Sequence, residues 1–510
     1  MIRKLFLLFV ICIGICQFVS SQDTWSIIVE NDTLSEQGHG VYEFQDNLYI
    51  LSRTRCLPHA QACAELRKYD IYGNIIWNVQ MPWITPSNQN MISSYKGNLI
   101  ITGRRNYIED PERYSFYEID TSGNILDLTH INLPYQSNFN YGALVKGDTL
   151  YMYGASIEDV SKEGINVDAL IVTYDLVSDT FSYEYFDYGH EFVDIWDMRM
   201  IEDGSILFYS AHRLQGSIGD SLDWVVERLY PDGHRTTTFN QPYNSEGGVN
   251  FPQMEYLGDG LIALLFPNEN PFIWTYPNIR IINLEGEVVA EQNYDYIIQN
   301  SFRYTADIRR TNDGDILLCG KYNDKQIDEN DLPLSSNAYV SKMSRDGTVE
   351  WLRHFRIEDE TGEPEESGFL SLISLSDNSI VAVGAISRSP SDLYIVKLDE
   401  NGCFGPDDCG GGVVTSTEEV TKEDLNSNCK VYPNPIERNQ LLLIETVNST
   451  SMLDELNVQI VDVNGRQVLH QKILTQNIDL DISSLSGGIY FLKLINKKGT
   501  VLSSKKLIVL

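Results

Sequence analysis

The sequence has few basic residues for its length. Its 510 residues include 38 lysines and arginines against 72 aspartates and glutamates, which gives a formal net charge of −34 at pH 7. Because this excess of negative charge repels nucleic acid and anionic lipid surfaces, the composition argues against a nucleic-acid partner. A solvated acidic surface is the simplest explanation. Acidic stretches at 324–331 and 407–408 could hold structural calcium, although neither has the ligand spacing of an EF-hand.

Local catalytic motifs are also lacking. The histidines are scattered without the HExxH pattern of zinc hydrolases, and no GxSxG, phosphate-binding loop or dinucleotide-binding pattern occurs. The tetrapeptide at 219–222 matches that of GDSL esterases, but no Asp-x-x-His follows it. Ser344 and Asp346 resemble part of a sialidase Asp-box, yet Gly347 is one position early, so we interpret them as an ordinary hairpin turn. The sequence therefore predicts no catalytic residue, no cofactor and no transition-metal site.

Cysteine is scarce, and its spacing is informative. Cys56 and Cys63 lie close together in the chain, as do Cys403 and Cys409, and both pairs are candidates for local disulfides in an oxidising compartment. Cys319 lies in an apolar strand and is expected to be a buried free thiol. This usage is typical of a protein that works outside the cytoplasm.

Long apolar runs are absent except at the N-terminus. Residues 1–21 combine the basic Arg3 and Lys4, an apolar stretch from Leu5 to Phe18 and a small-residue exit. This pattern predicts a secretory signal peptide that is cleaved after Ser21. Because the apolar stretch is too short to cross a bilayer, we expect an exported protein without a transmembrane segment.

What the sequence does contain is a repeated pair of turns. One kind of turn precedes an apolar run and recurs at Asn47, Gly97, Asp148, Gly204, Gly260, Gly314 and Asn378. The other recurs at Gly73, Gly123, Ser178, Gly233, Gly286, Gly347 and Gly402, each three positions after an Asp, Asn or Ser, or after Tyr230 in one case. Asp, Asn and Gly suit such hairpin turns because they accept positive φ or bond to their own backbone. Two interleaved series with one period indicate seven units of four short strands.

A four-stranded sheet repeated about every fifty residues predicts a propeller blade, since one blade cannot bury both of its faces alone. The fold class is therefore all-β, with a seven-bladed β-propeller over residues 22–409. The repeat resembles the LxxxDxxGNxxW type of secreted propellers. The seventh unit lacks its fourth strand, whereas Trp25–Val29 has no partner nearby. We expect this segment to close the ring as the outer strand of blade seven, with Trp25 in the role of Trp77 and Trp351.

A second domain follows the repeats. Residues 410–429 are rich in Gly, Ser and acidic residues without periodicity, which predicts a flexible linker. Cys429 at its end has no evident partner. From residue 430 onward, short alternating apolar runs predict a small immunoglobulin-like β-sandwich.

The motifs of this second domain carry a resemblance. They occur in order and end at the chain terminus, at Tyr432, Pro433, Asn434, Pro435, Asn464, Gly465, Arg466, Gly488, Tyr490, Lys505 and Lys506. Together they resemble the C-terminal type A sorting domain of the type IX secretion system of Bacteroidota. The resemblance implies recognition by that secretion machinery, passage through the periplasm, and a mature protein that is released or attached to the outer-membrane surface.

Two functions remain open for the propeller. One is a non-enzymatic binding module for a glycan or a protein. The other is a glycoside hydrolase or polysaccharide lyase whose acids converge at the channel mouth from separate blades. Because the long connections differ from unit to unit, we expect the ligand on the face that they form. The candidate residues near the starts of the innermost strands are His39, Trp83, Tyr135, Trp196, Phe251, Arg303, Tyr304 and Glu366.

Overall fold

The structure is a computed structural model in which β-strands are the regular elements. Among the residues that it describes, no helix has the length and apolarity to cross a membrane. The described residues are 24–29, 35–56, 61–86, 88–104, 114–133, 137–157, 167–186, 190–214, 221–244, 252–266, 278–293, 303–323, 336–359, 364–404, 413–414, 429–432, 436, 441–446, 457–462, 467–472, 477–483, 485–495 and 501–510. The predicted signal peptide and most of the predicted linker lie outside them.

The chain divides into two compact units, the first formed by residues 1–28 and 32–418 and the second by residues 29–31 and 419–510. The first half of the first unit contains β1 (Trp25–Val29), β2 (Gln37–Phe44), β3 (Asn47–Cys56), β4 (Gln61–Asp70), β5 (Ile75–Met81), β6 (Ile92–Tyr95), β7 (Asn98–Arg104), β8 (Tyr114–Ile119), β9 (Ile125–Ile131), β10 (Ser137–Lys146), β11 (Thr149–Ile157), β12 (Val167–Asp175) and β13 (Thr180–Phe186).

The remaining strands of this unit follow in chain order. They are β14 (His190–Met200), β15 (Ile206–Leu214), β16 (Ser221–Leu229), β17 (Arg235–Asn244), β18 (Gln253–Gly258), β19 (Leu261–Phe266), β20 (Asn278–Asn283), β21 (Val288–Asn293), β22 (Arg303–Arg310), β23 (Ile316–Asn323), β24 (Ser336–Met343), β25 (Val349–Glu358), β26 (Pro364–Glu365), β27 (Ser367–Ser374), β28 (Ile380–Ile386), β29 (Asp392–Leu398) and β30 (Val413–Val414).

Four-stranded antiparallel meanders are the basic pattern of the first unit. Consecutive strands pair within β2–β5, β6–β9, β10–β13, β14–β17, β18–β21 and β22–β25. A single parallel pairing of Val167 with Phe192 links the third and fourth meanders into one sheet. The short strands β26 and β30 add to the edge of β25, and β30 lies within the predicted linker.

The last meander is completed from the other end of the chain. Its sheet has the order β1-β29-β28-β27, so Trp25–Val29 pairs with the strand that ends at Leu398. The predicted pairing of this N-terminal strand with the seventh unit is confirmed. Such a pairing covers an edge strand that would otherwise expose unpaired backbone groups.

The repeated turns form for the reasons that the sequence suggests. Gly73 has a φ of 85° and closes the hairpin between β4 and β5. The Oδ1 atom of Asp70 accepts hydrogen bonds from the backbone N–H groups of Tyr72 at 3.0 Å and Asn74 at 2.8 Å. In the third meander the positive φ falls on Asp179, one residue after the predicted Ser178.

A tryptophan from one meander packs on the turn of the next. A Cβ atom at Gly123 would lie 2.9 Å from the indole of Trp77, and one at Gly73 would lie 2.9 Å from the indole of Trp25. Each indole also donates its N–H to a carbonyl of the same turn at 3.1 Å. Trp25 therefore makes the same contact as Trp77, as predicted, and only glycine leaves room for it.

Apolar clusters between consecutive meanders form the core of the first unit. One cluster joins Leu51 and Leu66 to Leu99 and Ile101 of the following meander, and the other clusters repeat this arrangement farther along the chain. The largely apolar second strands explain it, because both of their faces are covered. Each meander is thus held by the neighbours on its two sides.

The second unit contains two sheets that share one core. Its strands are β31 (Cys429–Tyr432), β32 (Leu441–Thr446), β33 (Asn457–Asp462), β34 (Gln467–Lys472), β35 (Asn477–Asp481), β36 (Gly488–Ile495) and β37 (Val501–Val509). One sheet has the order β31-β32-β35 and the other β34-β33-β36-β37. Buried residues of both sheets, such as Leu442 and Leu492, belong to the same cluster.

The cysteines follow the expectations where the structure describes them. Cys56 and Cys63 form the predicted disulfide. Cys319 is free and buried, as expected, and burial raises its pKa well above the usual value. Cys403 is buried and disulfide-bonded. Its predicted partner Cys409 lies outside the described residues, so that pairing stays a prediction.

Candidate functional site

The first strands of the meanders surround a common axis. We call these seven strands, β2, β6, β10, β14, β18, β22 and β27, the inner strands; each contacts the next, and β27 contacts β2. Several inner strands carry a β-bulge at the same level, next to Gly40, Gly142, Asp197, Asp307 and Ser371. Bulges leave backbone carbonyls unpaired and turn them away from the ladder.

A three-residue segment before β6 fills the axis at this level. The side-chain amide of Gln89 donates to the carbonyls of Ala306 and Leu370, both at 2.9 Å. Asn88 donates to the carbonyl of Trp196 at 3.3 Å, so the segment satisfies carbonyl groups of three separate strands. We call residues 88–90 the plug segment, because their side chains bond to inner strands from three meanders around the axis.

A charged cluster lies beside the plug segment. Arg199 bonds to Asp197, and its Nε atom lies 2.9 Å from Glu255 Oε2. Arg309 lies 3.2 Å from Asp307 and 3.8 Å from the same Glu255 oxygen. We call these five residues the axial ion network. They come from β14, β18 and β22, so three neighbouring meanders build it.

The plug segment connects the two halves of this network. The side-chain amide of Asn90 donates to Asp197 Oδ1 at 2.9 Å, and its oxygen accepts from Arg309 Nη2 at 2.8 Å. Because Asn90 bonds to one acid and one arginine, it fixes the spacing of β14 and β22. The buried charges thus lie in one set of hydrogen bonds and ion pairs that includes the plug segment.

The two aspartates of the network are buried and saturated with donors. Asp197 Oδ2 accepts from the backbone N–H of Met254 at 2.8 Å. Asp307 Oδ2 accepts from Leu372 N at 3.1 Å and from Ser371 Oγ at 3.0 Å. Burial raises the pKa of both, that of Asp307 to about 6, while the neighbouring arginines act in the opposite direction. Their contacts hold neighbouring meanders together.

A cavity of about 320 Å³ lies on one side of the plug segment. Its lining residues follow the bulges in sequence, so it lies toward the tight turns that end the inner strands. They are Val41, Tyr42, Gln89, Asn90, Ile92, Ala143, Leu144, Met198, Arg199, Met200, Glu255, Arg309 and Ile373.

Aromatic side chains lie on the other side, toward the long connections. Tyr141 and Trp196 stack with ring centroids 4.8 Å apart, and Phe139 stacks on Tyr141 at 6.5 Å. The guanidinium of Arg104 lies 4.4 Å from the Phe139 ring centroid. We call Phe139, Tyr141 and Trp196 the aromatic row. Beside it, burial raises the pKa of Asp194 to about 8, partly offset by a hydrogen bond with Tyr141.

The predicted ligand-face residues are not all in one place. His39 lies at the bulge of β2, and burial followed by the nearby Arg53 lowers its pKa to about 4. Trp83 is 37% exposed after β5, and Trp196 is buried in the aromatic row. Glu366 is exposed and pairs with Lys321. Of the remaining candidates, Arg303 and Tyr304 begin β22, and Tyr135 and Phe251 lie outside the described residues.

The sequence analysis missed the axial ion network. Its signal is the pattern Asp-x-Arg at 197–199 and 307–309, in the first strands of two different units. The pattern has no meaning in isolation because arginine and aspartate occur on many solvated strands. Aligning the first strands of the seven units and comparing the same position would have revealed it. The aromatic row was only partly found, through Trp196.

The sorting-domain residues occupy the last strands where they are described. Tyr490 is buried in β36 and donates a hydrogen bond to the Ser486 carbonyl at 2.8 Å. Gly488 and Lys506 are exposed. Tyr432 and Lys505 lie in β31 and β37, whereas Pro433, Asn434, Pro435, Asn464, Gly465 and Arg466 lie outside the described residues.

A family comparison identifies this C-terminal region. Residues 430–510 match the family described as a secretion system C-terminal sorting domain. The chain carries a type IX secretion sorting domain. The domain implies interaction with the type IX machinery and supports a secreted or cell-surface location. Among curated proteins, none matches the chain.

The solved structures that the chain matches are distant from it in sequence. A Pyrococcus horikoshii acylaminoacyl peptidase is 11% identical with a TM-score of 0.43, covering 82% of this chain and 59% of its own. A Trypanosoma rangeli sialidase is 10% identical with a TM-score of 0.35, covering 77% and 74%. A Dyadobacter fermentans protein of unknown function is 9% identical with a TM-score of 0.38, covering 73% and 97%. The chain thus spans less than two thirds of the length of the peptidase that it matches.

The described residues hold no candidate metal centre. No group of three or more His, Cys, Asp or Glu side chains among them could bind a metal ion. The acidic stretches considered for calcium, 324–331 and 407–408, lie outside the described residues.

Proposed function

We propose that the chain is an exported seven-bladed β-propeller that binds an extracellular glycan or protein. In this proposal residues 22–409 form the propeller, residues 410–429 the linker and residues 430–510 an immunoglobulin-like sorting domain. The seven meanders, their contacts in a ring and the pairing of β1 with β29 support the blade count. The sorting domain supports the extracellular location.

The aromatic row is the observation that carries the binding role. The partly exposed Phe139 and Tyr141 stack in line with the buried Trp196 on the side of the long connections, with Arg104 over the outermost ring. Flat apolar faces with a nearby cation suit the recognition of a sugar ring or an aromatic peptide side chain. Binding surfaces also concentrate their energy in aromatic and arginine residues.

The alternative is a hydrolase or lyase with acids at the channel mouth. Such an enzyme needs two carboxyl groups that face the substrate and are free to transfer protons. Asp197 and Asp307 are instead bonded to arginines and to backbone N–H groups of neighbouring strands. This arrangement favours the binding role over catalysis.

The test compares two pairs of substitutions in the full secreted chain. Phe139→Ala with Trp83→Ala shortens aromatic side chains on the long-connection face, and Tyr72→Ala with Phe181→Ala does the same on exposed outer positions. The chain is screened on arrays of oligosaccharides and extracellular proteins, and each variant is tested against the best ligand. We expect the first pair to weaken binding about thirtyfold or more and the second to leave it unchanged. Equal binding by all variants with native circular dichroism would contradict the proposed face.

A further inference from the structure

The cavity beside the plug segment is built from equivalent positions of all inner strands. Two residues after the level of the bulges, each inner strand contributes one lining side chain. In the order of the meanders they are Tyr42, Ile92, Leu144, Arg199, Glu255, Arg309 and Ile373. Arg199, Glu255 and Arg309 come from three consecutive meanders. The other four side chains come from the remaining meanders, which are also neighbours because the seventh meander contacts the first. The cavity therefore has one charged wall and one mostly apolar wall.

The charged wall holds a donor and an acceptor that the protein does not use. The Nη2 atom of Arg199 is buried and has no hydrogen-bond partner among the described residues. The two arginine contacts of Glu255 are both made by its Oε2 atom, and no hydrogen bond to its Oε1 atom occurs within the described part of the chain. Because Arg199 Nε lies 2.9 Å from Glu255 Oε2, the unused groups are neighbours.

Charge restricts the chemistry of a ligand that could use both groups. The axial ion network combines two arginines with three acids, so it carries one excess negative charge when all are ionised, and a lone anion would add to that excess at a partly buried site. A lone cation would offset the excess but leave the buried Arg199 donor without a partner. A zwitterion serves both groups. Its carboxylate would accept from Arg199, and its ammonium group would donate to Glu255.

Size and access fit a small molecule. The volume of about 320 Å³ lies at the lower end of ligand pockets. The side chains of Arg199 and Glu255 are 14% and 15% exposed, so solvent reaches the charged wall. Opposite it, Leu144 and Ile373 offer an apolar surface for a side chain of similar character.

We propose that this cavity binds a free α-amino acid with an apolar side chain. Arg199 and Glu255 hold the carboxylate and the ammonium group, and the apolar wall holds the side chain. The site lies on the opposite side of the plug segment from the aromatic row. It is therefore separate from the surface in the proposed function, and either can fail without the other.

The first test needs only the wild-type protein and three probes. L-Leucine, N-acetyl-L-leucine and L-leucinamide are titrated into the full chain by calorimetry. We expect L-leucine to bind and each derivative to bind about ten to a hundred times more weakly, because each lacks one charged group. Equal affinity for all three would overturn the zwitterion argument. Absence of heat and of a thermal shift with L-leucine, L-isoleucine, L-methionine and L-phenylalanine at millimolar concentration would overturn the site.

The second test locates the site. Leu144→Phe and Ile373→Phe each fill the cavity without touching the ion network, and Leu126→Phe is the control on an exposed outer strand. We expect either cavity variant to lose L-leucine binding while the control keeps it. Two cavity variants guard against a folding defect in one, and melting curves identify such a defect. Retained binding in a folded cavity variant would place the amino acid elsewhere and overturn the proposal.

Discussion

The two units of this chain carry their information in different ways. In the second unit, short motifs in a fixed order identify the domain, and the family match covers the same residues, 430–510. In the first unit, the repeated turns account for the meanders, but the residues at the axis are those that differ from one meander to the next. Arg199, Glu255 and Leu144 occupy equivalent positions with unrelated chemistry. The repeated turns thus specify the strand pattern, and the residues that differ between meanders form the candidate site.

Removing the second unit should have the largest effect. A chain without residues 430–510 should accumulate in the periplasm of a host with type IX secretion, because the sorting domain implies recognition by that machinery. Immunoblotting of culture medium, outer membrane and periplasm measures the distribution. As the matched control, the same domain is fused to a reporter that carries residues 1–21, and it should direct the reporter outward. Normal secretion of the truncated chain would contradict the assignment of export to the second unit.

The buried Asp194 should make the stability of the first unit depend on pH. Burial raises its pKa from 3.8 to about 8, so the folded state binds a proton that the unfolded state releases above pH 4. The contribution of Asp194 to stability is therefore complete below about pH 4 and declines by about 1.4 kcal/mol per pH unit as the pH rises toward 8.

Two variants measure that slope. Asp194→Asn removes the titrating group, and Glu184→Gln removes an exposed acid as a control. Between pH 5 and pH 7 the difference in unfolding free energy between Asp194→Asn and wild type should grow by about 3 kcal/mol in favour of the variant. Urea denaturation at several pH values gives the comparison. Parallel profiles for the three proteins would show that Asp194 is ionised in the folded state.

The smallest expected effect concerns the N-terminal strand. Trp25→Ala should lower the free energy of unfolding by about 2 kcal/mol, since the half-buried indole loses its packing against Gly73. Trp77→Ala is the matched variant, because Trp77 makes the same contact with Gly123 inside the chain. Chemical denaturation should give similar losses for both. A loss for Trp77→Ala alone would mean that the N-terminal strand adds little to the stability of the ring.

The sequence predicted the turns and the strand pattern of the first unit. Asp, Asn and Gly at fixed spacing specify tight turns through local backbone preferences, so the strand pattern and the partner of Trp25–Val29 could be read directly. The Cys56–Cys63 disulfide was predictable for the same reason, because both residues lie in one short loop. The turn at Asp179 was misplaced by one residue because Asp175 bonds to the N–H groups of both Val177 and Ser178.

The candidate site was less predictable. Gln89 looks like a polar loop residue, yet its amide bonds to carbonyls of residues more than two hundred positions away. No local pattern identifies such a contact. Of the eight ligand-face candidates, Trp196 lies in the aromatic row. The other two rings of the row, Tyr141 and Phe139, were not among the candidates predicted from the sequence.

The sequence alone determined the all-β class, the period of the meanders and the sorting domain, since turn chemistry, alternation and terminal motifs act over a few neighbouring residues. Tertiary structure decided what meets at the axis. The plug segment, the axial ion network and the unused groups of Arg199 and Glu255 arise only when inner strands from distant parts of the chain converge. At the axis, buried charged side chains need partners of opposite charge. Those partners lie in other meanders, so no short stretch of sequence identifies the pairs.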